Sequence, residues 1–554
     1  MENQRTILYL AFFFTLFLLY QEWQKAYGPQ PIETPVEQVS GINGSGVPGN
    51  VPNAISDAEI SALPTADIPA DSQTSTGMPM ASQENTMGES VHVVTDVLDL
   101  QIDTQGGTIY QLDLREYPQS SENKDKSFQL FSNNEIQYHT AQSGLVSSAN
   151  VAPNHKDIYQ TEKSEYRLEE GTNELKVTLL WEKDGVRVSK IYTFKRDSYV
   201  INIEHIVHAD NWNGSEYRQL VRSLQEREST MIPTYVGGVV FNEEIKYEKL
   251  DFDDIAEQSF KSDMKGGWVA MIQHYFLAAW VPDQDQTNFT YTSHPTSNRY
   301  IIGMRSSALS ATTDAPAKFS SQLVVGPKLQ DRLKEIAPGL ELTVDYGILT
   351  ILAKPLFWLL KFYHKMFDNW GWAIIFLTIS VKAGFYWLSA KGYRSMARMR
   401  KVAPRLATLK ERYGDDRQRM SQEMMKMYKE EKINPLGGCF PILIQIPVFI
   451  ALYWVLLESV EIRNAPFALW IQNLSEQDPY FILPILMGVT MFIQQKLNPA
   501  PLDPVQQKVF QYMPFVFTIF FLFFPAGLVL YWVVNNTLSI MQQWVITKRI
   551  EAEK

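Results

Sequence analysis

Cysteine occurs once in 554 residues, at Cys439, which excludes an intramolecular disulfide. With no histidine partner in the apolar run around it, Cys439 reads as a packing residue rather than a nucleophile. His92, His139, His155, His205, His208, His274 and His294 are scattered without ligand spacing, so they read as ordinary surface or strand residues, and neither a metal nor a cofactor is expected. An excess of positive charge is lacking too: the net charge of −11 argues against a general nucleic-acid binder. The most telling absence is in the apolar runs. None of the six holds an aspartate or glutamate, yet one of them, Trp372 to Ala390, holds a lysine, Lys382.

A cation at the centre of a membrane helix costs roughly 2.5 to 3.5 kcal/mol, so Lys382 is a functional-site candidate by its position alone. Without a carboxylate to pair with, it implies water in the bundle. Nothing in these runs supplies a nucleophile with its base, so an intramembrane enzyme is poorly supported.

The apolar residues are unevenly spread. Ile7 to Tyr20 follows a short polar start and has no small-x-small cleavage site after it, which predicts an uncleaved signal anchor over residues 1–27 with a cytosolic N-terminus. Residues 28–88 are rich in Pro, Ser, Gly, Thr and Asn and read as a tether. From 89 to 345 apolar and polar residues alternate, with turn signals at Gly106-Gly107 and Asp184-Gly185. This predicts a large antiparallel β-sandwich in the periplasm or an equivalent exterior space. Residues 346–368 mix apolar residues with Lys354, Lys361 and Lys365 and read as an interfacial amphipathic helix.

Residues 369–554 hold the remaining apolar runs: Trp372 to Ala390, Gly438 to Leu457, Tyr480 to Ile493, Val509 to Phe524 and Ala526 to Ile546. With the anchor they predict a multi-pass α-helical membrane protein of six transmembrane helices whose two termini share the cytosolic side. In residues 391–432 basic side chains outnumber acids by about two to one, as expected of a cytosolic segment. Met399 to Arg412 and Arg417 to Lys432 read as two helices of a hairpin joined at Tyr413-Gly414-Asp415-Asp416. Met420, Met424 and Met427 recur at helical spacing there. They suit contact with varied apolar partners, although packing within the hairpin is the plainer reading.

Polar residues in the runs recur on consistent faces. Thr378 stands one turn before Lys382 and Ser389 two turns after it; Gln445 adds an amide in the third run. Trp532, Asn536, Ser539 and Gln543 repeat at helical spacing in the last run, with Asn535 adjacent. In lipid such groups must find partners or water, so they are expected to converge inside the bundle.

Long collinear blocks, RYGDDRQRMSQEMMKMYKEEK, INPLGGCFPILIQIPVF, APFALWIQNLSEQDPYFILPILMGVTMF and FPAGLVLYWVVNN, resemble the YidC family of bacterial membrane protein insertases, and the resemblance extends over nearly the whole chain. It implies a periplasmic β-supersandwich and a five-helix core enclosing a hydrophilic groove open to cytosol and lipid but closed to the periplasm. It sets Lys382 where the family usually has an arginine and carries substrate contact onto Thr378 and Trp532, the latter standing where tyrosine is typical. Tyr531, Gln445, Asn535 and Asn536 complete the expected contact set, with Met420, Met424 and Met427 on the hairpin. The implied partners are nascent membrane proteins, the Sec translocon with its accessory subunits, the ribosome and anionic lipid of the bacterial inner membrane; no small-molecule substrate is implied. A solute or ion transporter, or a periplasmic scaffold with a membrane anchor, stays open on the residues alone.

Overall fold

The computed structural model describes residues 88–552, apart from 121, 135, 149, 224–233, 297, 414–415, 432–439 and 499–503. The expected anchor, almost all of the tether, Cys439 and the middle of the hairpin turn lie outside the described residues.

Among the described residues twenty strands, β1 to β20 in chain order, run from Ser90 to Pro327 and form two sheets of eleven and nine strands. Every pairing is antiparallel except β1 (Ser90–Val94) with β7 (Glu165–Arg167). Strict alternation explains why the sheets stack. In β9 (Val186–Lys195) Val186, Val188, Lys190, Tyr192 and Phe194 are buried, and in β10 (Val200–His208) Ile201, Ile203, His205 and Val207 are. Such a period places one face of each strand against the other sheet. Asp184 and Gly185, both at positive φ (49° and 77°), close the hairpin between β8 (Glu174–Lys183) and β9, as a two-residue turn of that twist requires. Gly106 and Gly107, at φ 69° and 62°, turn β2 (Leu98–Asp103) into β3 (Thr108–Pro118); a Cβ on Gly107 would come within 2.6 Å of the Tyr192 hydroxyl.

The sandwich interior is not purely apolar. Lys190 is fully buried and donates from Nζ to the carbonyls of Gly106 (2.8 Å) and Ser143 (2.9 Å). On β11 (Trp212–Arg222) Glu216 accepts from His205 Nδ1 at 2.9 Å and forms an ion pair with Arg218, whose Nη2 lies 2.9 Å from its other oxygen. These are charges matched by donors or acceptors within the core, as buried ions must be.

Ten helices stand among the described residues. Short α1 (Phe252–Glu257) and α2 (Gln330–Ile336) flank the sandwich. Next comes α3 (Thr350–Phe367), which buries Ala353, Phe357 and Leu360 and exposes Ile351, Trp358, Phe362 and Met366, a two-faced helix. The Asn369 side chain caps α4 (Trp370–Gly384), accepting from the Trp372 amide at 3.2 Å. Then follow α5 (Tyr386–Tyr413), α6 (Arg417–Glu430), α7 (Phe440–Glu458), α8 (Ile482–Leu497), α9 (Pro504–Phe521) and α10 (Ala526–Ala552). The first turns of α9, through Met513, are helical and belong to a separate compact unit.

Two expectations are corrected here. Trp372 to Ala390 is not one straight span: it breaks at Phe385, where α4 and α5 meet at a bend of 68°. Among the described residues no single helix is long and apolar enough to cross a membrane, and this bent pair reaches that length and composition only together. The first hairpin helix begins not near Met399 but at Tyr386, and it runs on to Tyr413 through Gly392 and Pro404. Asp416 caps α6, accepting from the Arg419 amide at 3.0 Å. Within the hairpin Val402, Leu406, Met427 and Tyr428 form a small core, with Met399 and Met424 against it. Met420 is half-buried and Met425 is exposed.

The sandwich grips the far end of α7. His274 Nε2 donates to the Leu457 carbonyl (2.9 Å) and Lys328 Nζ to the Glu458 carboxylate (3.2 Å), both partners of that pair being buried. Arg463 Nη1 and Nη2 donate to the carbonyls of Pro118 (2.8 Å) and Gln119 (2.9 Å), and its guanidinium lies 5.4 to 5.8 Å from the ring centres of Phe128, Tyr275 and Phe276. Burial, helped by Lys328, holds the His274 imidazole down at about 3, so it stays neutral and its Nε2 proton is free to donate.

Candidate functional site: a cavity around Lys382

Four helices surround one small cavity of about 30 Å³. Thr378, Val381 and Lys382 come from the last turns of α4, Phe385 from the bend, and Leu388 and Ser389 from the start of α5. Gln445 and Val448 come from α7, and Tyr531 and Asn535 from α10. Spacing accounts for the convergence: 378, 381, 382 and 385 share one helical face, as do 445 and 448, and 531 and 535. Apolar packing holds the walls in place, with Ala373, Ile374 and Leu377 of α4 against Ala451, Leu452 and Val455 of α7 and Leu528, Val529 and Tyr531 of α10.

Hydrogen-bond accounting defines what the cavity offers. Lys382 Nζ donates to Ser539 Oγ at 2.7 Å, and Ser539 in turn donates to the Asn535 carbonyl at 2.7 Å. The serine proton is thus committed, its lone pair receives the ammonium, and the ammonium has donors to spare. Thr378 likewise donates to its own helix, at the Ile374 carbonyl (2.7 Å), leaving an acceptor for the cavity. Gln445 Nε2 is buried without a hydrogen-bond partner among the described residues. No carboxylate lines the cavity. A cation, a free amide donor and several hydroxyl or amide acceptors around a space of this size suit one or two ordered waters, which an anionic group reaching the cation would displace. They do not form a nucleophile–base pair, and no cluster of three metal-ligating side chains occurs among the described residues.

The other residues singled out in the sequence lie on neighbouring faces of α10. Trp532 packs on Phe449 (ring centres 4.9 Å apart) and Phe521 (5.8 Å). Asn536 Nδ2 donates to Thr490 Oγ1 of α8 at 3.3 Å, and Gln543 Nε2 to Asn498 Oδ1 at 3.0 Å and the Leu497 carbonyl at 3.1 Å. One stretch of α10 therefore serves two purposes: the 531, 535, 539 stripe faces Lys382 and the 536, 543 stripe ties α10 to α8. Val381, Phe385, Leu388 and Val448, which also line the cavity, were not singled out as site residues from the sequence; their signal was spacing of three or four from Lys382, Phe385 or Gln445.

Residues 362–553 match the 60Kd inner membrane protein family and residues 90–359 match the YidC periplasmic domain. The chain belongs to the YidC family. The membrane protein insertase YidC of Thioalkalivibrio sulfidiphilus is 51% identical, covering 100% of this chain and 99% of that one. Those of Methylococcus capsulatus (49%, covering 100% and 99%) and Nitrosococcus oceani (48%, covering 100% of each) are similar over the same extent. Both parts of the chain, the sandwich and the helices around Lys382, thus fall within the YidC family together.

Proposed function

We infer that this chain is a membrane protein insertase: it places newly made proteins into the bacterial inner membrane, with its sandwich in the periplasm. Full-length identity of about half to proteins of that name favours this over a transporter or an anchored scaffold. The observation that carries the mechanism is a lysine without a carboxylate partner in a polar cavity walled by apolar helices.

The chain crosses the membrane six times, counting the Ile7 to Tyr20 run and the bent α4–α5 pair, with both termini cytosolic. A hydrophobic client segment meets the cytosolic hairpin, where exposed Met425 and half-buried Met420 offer adaptable contact. Its polar flank enters the cavity, where Lys382 attracts acidic residues while Thr378, Gln445, Tyr531 and Asn535 replace their hydration. The apolar segment slides along exposed Ile485, Val489, Phe515 and Ile519 into lipid. With 16 residues α8 spans roughly 24 Å, short of about 30 Å of hydrocarbon, so the bilayer thins beside it. Burial of the client's apolar residues drives the step, and the membrane potential adds about 2.3 kcal/mol per acidic charge per 100 mV. Nascent chains arrive from the ribosome, alone or beside the Sec translocon and its accessory subunits.

The test is reconstituted insertion of a single-span client with an acidic tail, comparing the native chain with Lys382→Arg, Lys382→Ala and Lys382→Glu. Activity retained in Arg and lost in Ala and Glu is the expected pattern. Equal activity in all four would remove the cation from the mechanism.

A further inference from the structure

Two neighbouring glutamines on α10 tie three helices together at one level. Gln542 Nε2 donates to the carbonyl of Tyr386, the first residue of α5, at 3.2 Å, while Gln543 reaches Leu497 and Asn498, where α8 ends. All three helices run in the same sense. Beyond Tyr386, Ala390 and Tyr393 of α5 pack on Ile546, and Lys401 Nζ donates to the Ile550 carbonyl; on α8, Thr490 meets Asn536 before Leu497 meets Gln543.

Near this level each helix carries an exposed aromatic ring and, four residues downstream, a lysine whose ammonium lies over that ring. The pairs are Trp387 and Lys391 on α5 (3.5 Å to the ring centre), Phe492 and Lys496 on α8 (4.7 Å), and Trp544 and Lys548 on α10 (4.2 Å). The rings are 66%, 39% and 50% exposed, and all three lysines are exposed. They fall within about one and a half turns of the glutamine level, on the order of 8 Å along the helices. Upstream of the rings the outer surface is apolar, with Ile485 and Val489 on α8 and Met541 on α10; downstream it is basic, with Arg394, Arg398 and Lys401 on α5 and Arg549 on α10.

An apolar surface, a ring and then a cation, repeated in one direction on three helices, match the order of acyl chain, headgroup boundary and phosphate in a leaflet. We propose that Lys391, Lys496 and Lys548, each seated on its aromatic neighbour, form a belt that binds the headgroups of anionic phospholipids on the hairpin side. The ring sits at the headgroup boundary and one face of the ammonium, while the remaining donors reach a phosphate oxygen. The belt rests on the reading of the bundle as membrane-embedded, but it uses none of the groups lining the cavity.

The experiment reconstitutes the full chain in phosphatidylcholine vesicles holding traces of spin-labelled phosphatidylglycerol or spin-labelled phosphatidylcholine, and reads the preference of the motionally restricted lipid for the anionic headgroup. Combining Lys391→Gln, Lys496→Gln and Lys548→Gln should lower that preference at least twofold. The matching triple change to arginine should keep it, as should Lys176→Gln, Lys183→Gln and Lys195→Gln together, which remove three exposed charges from the sandwich. An unchanged preference in the belt triple, or an equal loss in the sandwich triple, overturns the proposal. An unchanged preference with lost binding of purified ribosomes would make the belt a ribosome-facing surface and sink the lipid assignment. Insertion assayed in the same vesicles tests the cavity through Lys382, so failure of the belt and failure of the insertase reading give different results.

Discussion

Two lysines without a carboxylate at hydrogen-bond distance, Lys190 in the sandwich and Lys382 among the helices, have surroundings that differ in kind. Lys190 in the sandwich is held by two carbonyls and is fully buried. Lys382 in the helical bundle meets one hydroxyl and otherwise faces a small cavity of about 30 Å³. The contrast separates a cation that completes a fold from one that waits for something. Saturation by the protein's own acceptors marks the first, and donors left over in an open polar space mark the second.

The sharpest test of that contrast swaps the readouts. Lys190→Ala leaves the Gly106 and Ser143 carbonyls buried without a donor and should destabilise the sandwich by about 4 kcal/mol. Chemical unfolding of the full chain measures this, and insertion by the folded fraction should be unchanged. Lys382→Ala should do the reverse, cutting insertion of an acidic-tailed client at least about tenfold, or 1.4 kcal/mol in rate terms, without lowering the unfolding midpoint of the bundle, since removing an unpaired buried charge does not cost stability. If both substitutions act through stability, the distinction fails.

Arg463→Ala probes the joint between the halves. It removes two hydrogen bonds to backbone and three ring contacts and should cost about 2 kcal/mol, read as faster amide exchange at the end of α7 and in the strand carrying Phe128. The protonation of Lys190 supplies a further check. Burial, against the pull of Glu216, brings its pKa from the ordinary 10.5 down to about 7. The unfolded chain therefore binds more protons between about pH 7 and 10, and sandwich stability should rise through that window, by on the order of 1 to 2 kcal/mol. Melting temperatures at pH 7 and 9 measure it, and Lys190→Met should flatten the rise. The smallest effect is expected from Ser539→Ala, which frees the Lys382 ammonium from its one protein partner. Insertion should change by only about two- to threefold, because the cavity, rather than the serine, carries the solvation of the charge.

Much of this was readable from the chain. Alternation in VRVSKIYTFK and VINIEHIVH, with Asp184-Gly185 between the hairpin arms, is a local signal, and local signals survive folding. Thr378, Lys382 and Gln445 stand out because a polar residue in an apolar run is conspicuous without any knowledge of its neighbours. What did not read was choice among adjacent faces. Residues 531, 532, 535 and 536 all offer plausible groups, and a rotation of about 100° per residue decides which stripe sees Lys382; packing of Trp532 on Phe449 and Phe521, with the bonds of Asn536 and Gln543 to α8, fixes that rotation. The break at Phe385 was hidden for a related reason. No proline marks it, WAIIFLTISVKAGFYWLSA is apolar on both sides, and its one local sign, Gly384 just before the break, is a residue that helices in lipid often tolerate.

That bend changes the electrostatics of the lysine beside it. Because α4 stops at Gly384, Lys382 sits in its last turn rather than midway along a continuous helix. The peptide dipoles of α4 add up to a partial negative charge, roughly half an elementary charge, at this end. A cation placed there is favoured, though by less than the roughly 2 kcal/mol of an isolated helix end, because the positive pole of α5 begins at Tyr386. The kink and the charge are thus one device: straightening α4 into α5 would carry the negative pole away toward the hairpin and leave Lys382 without it.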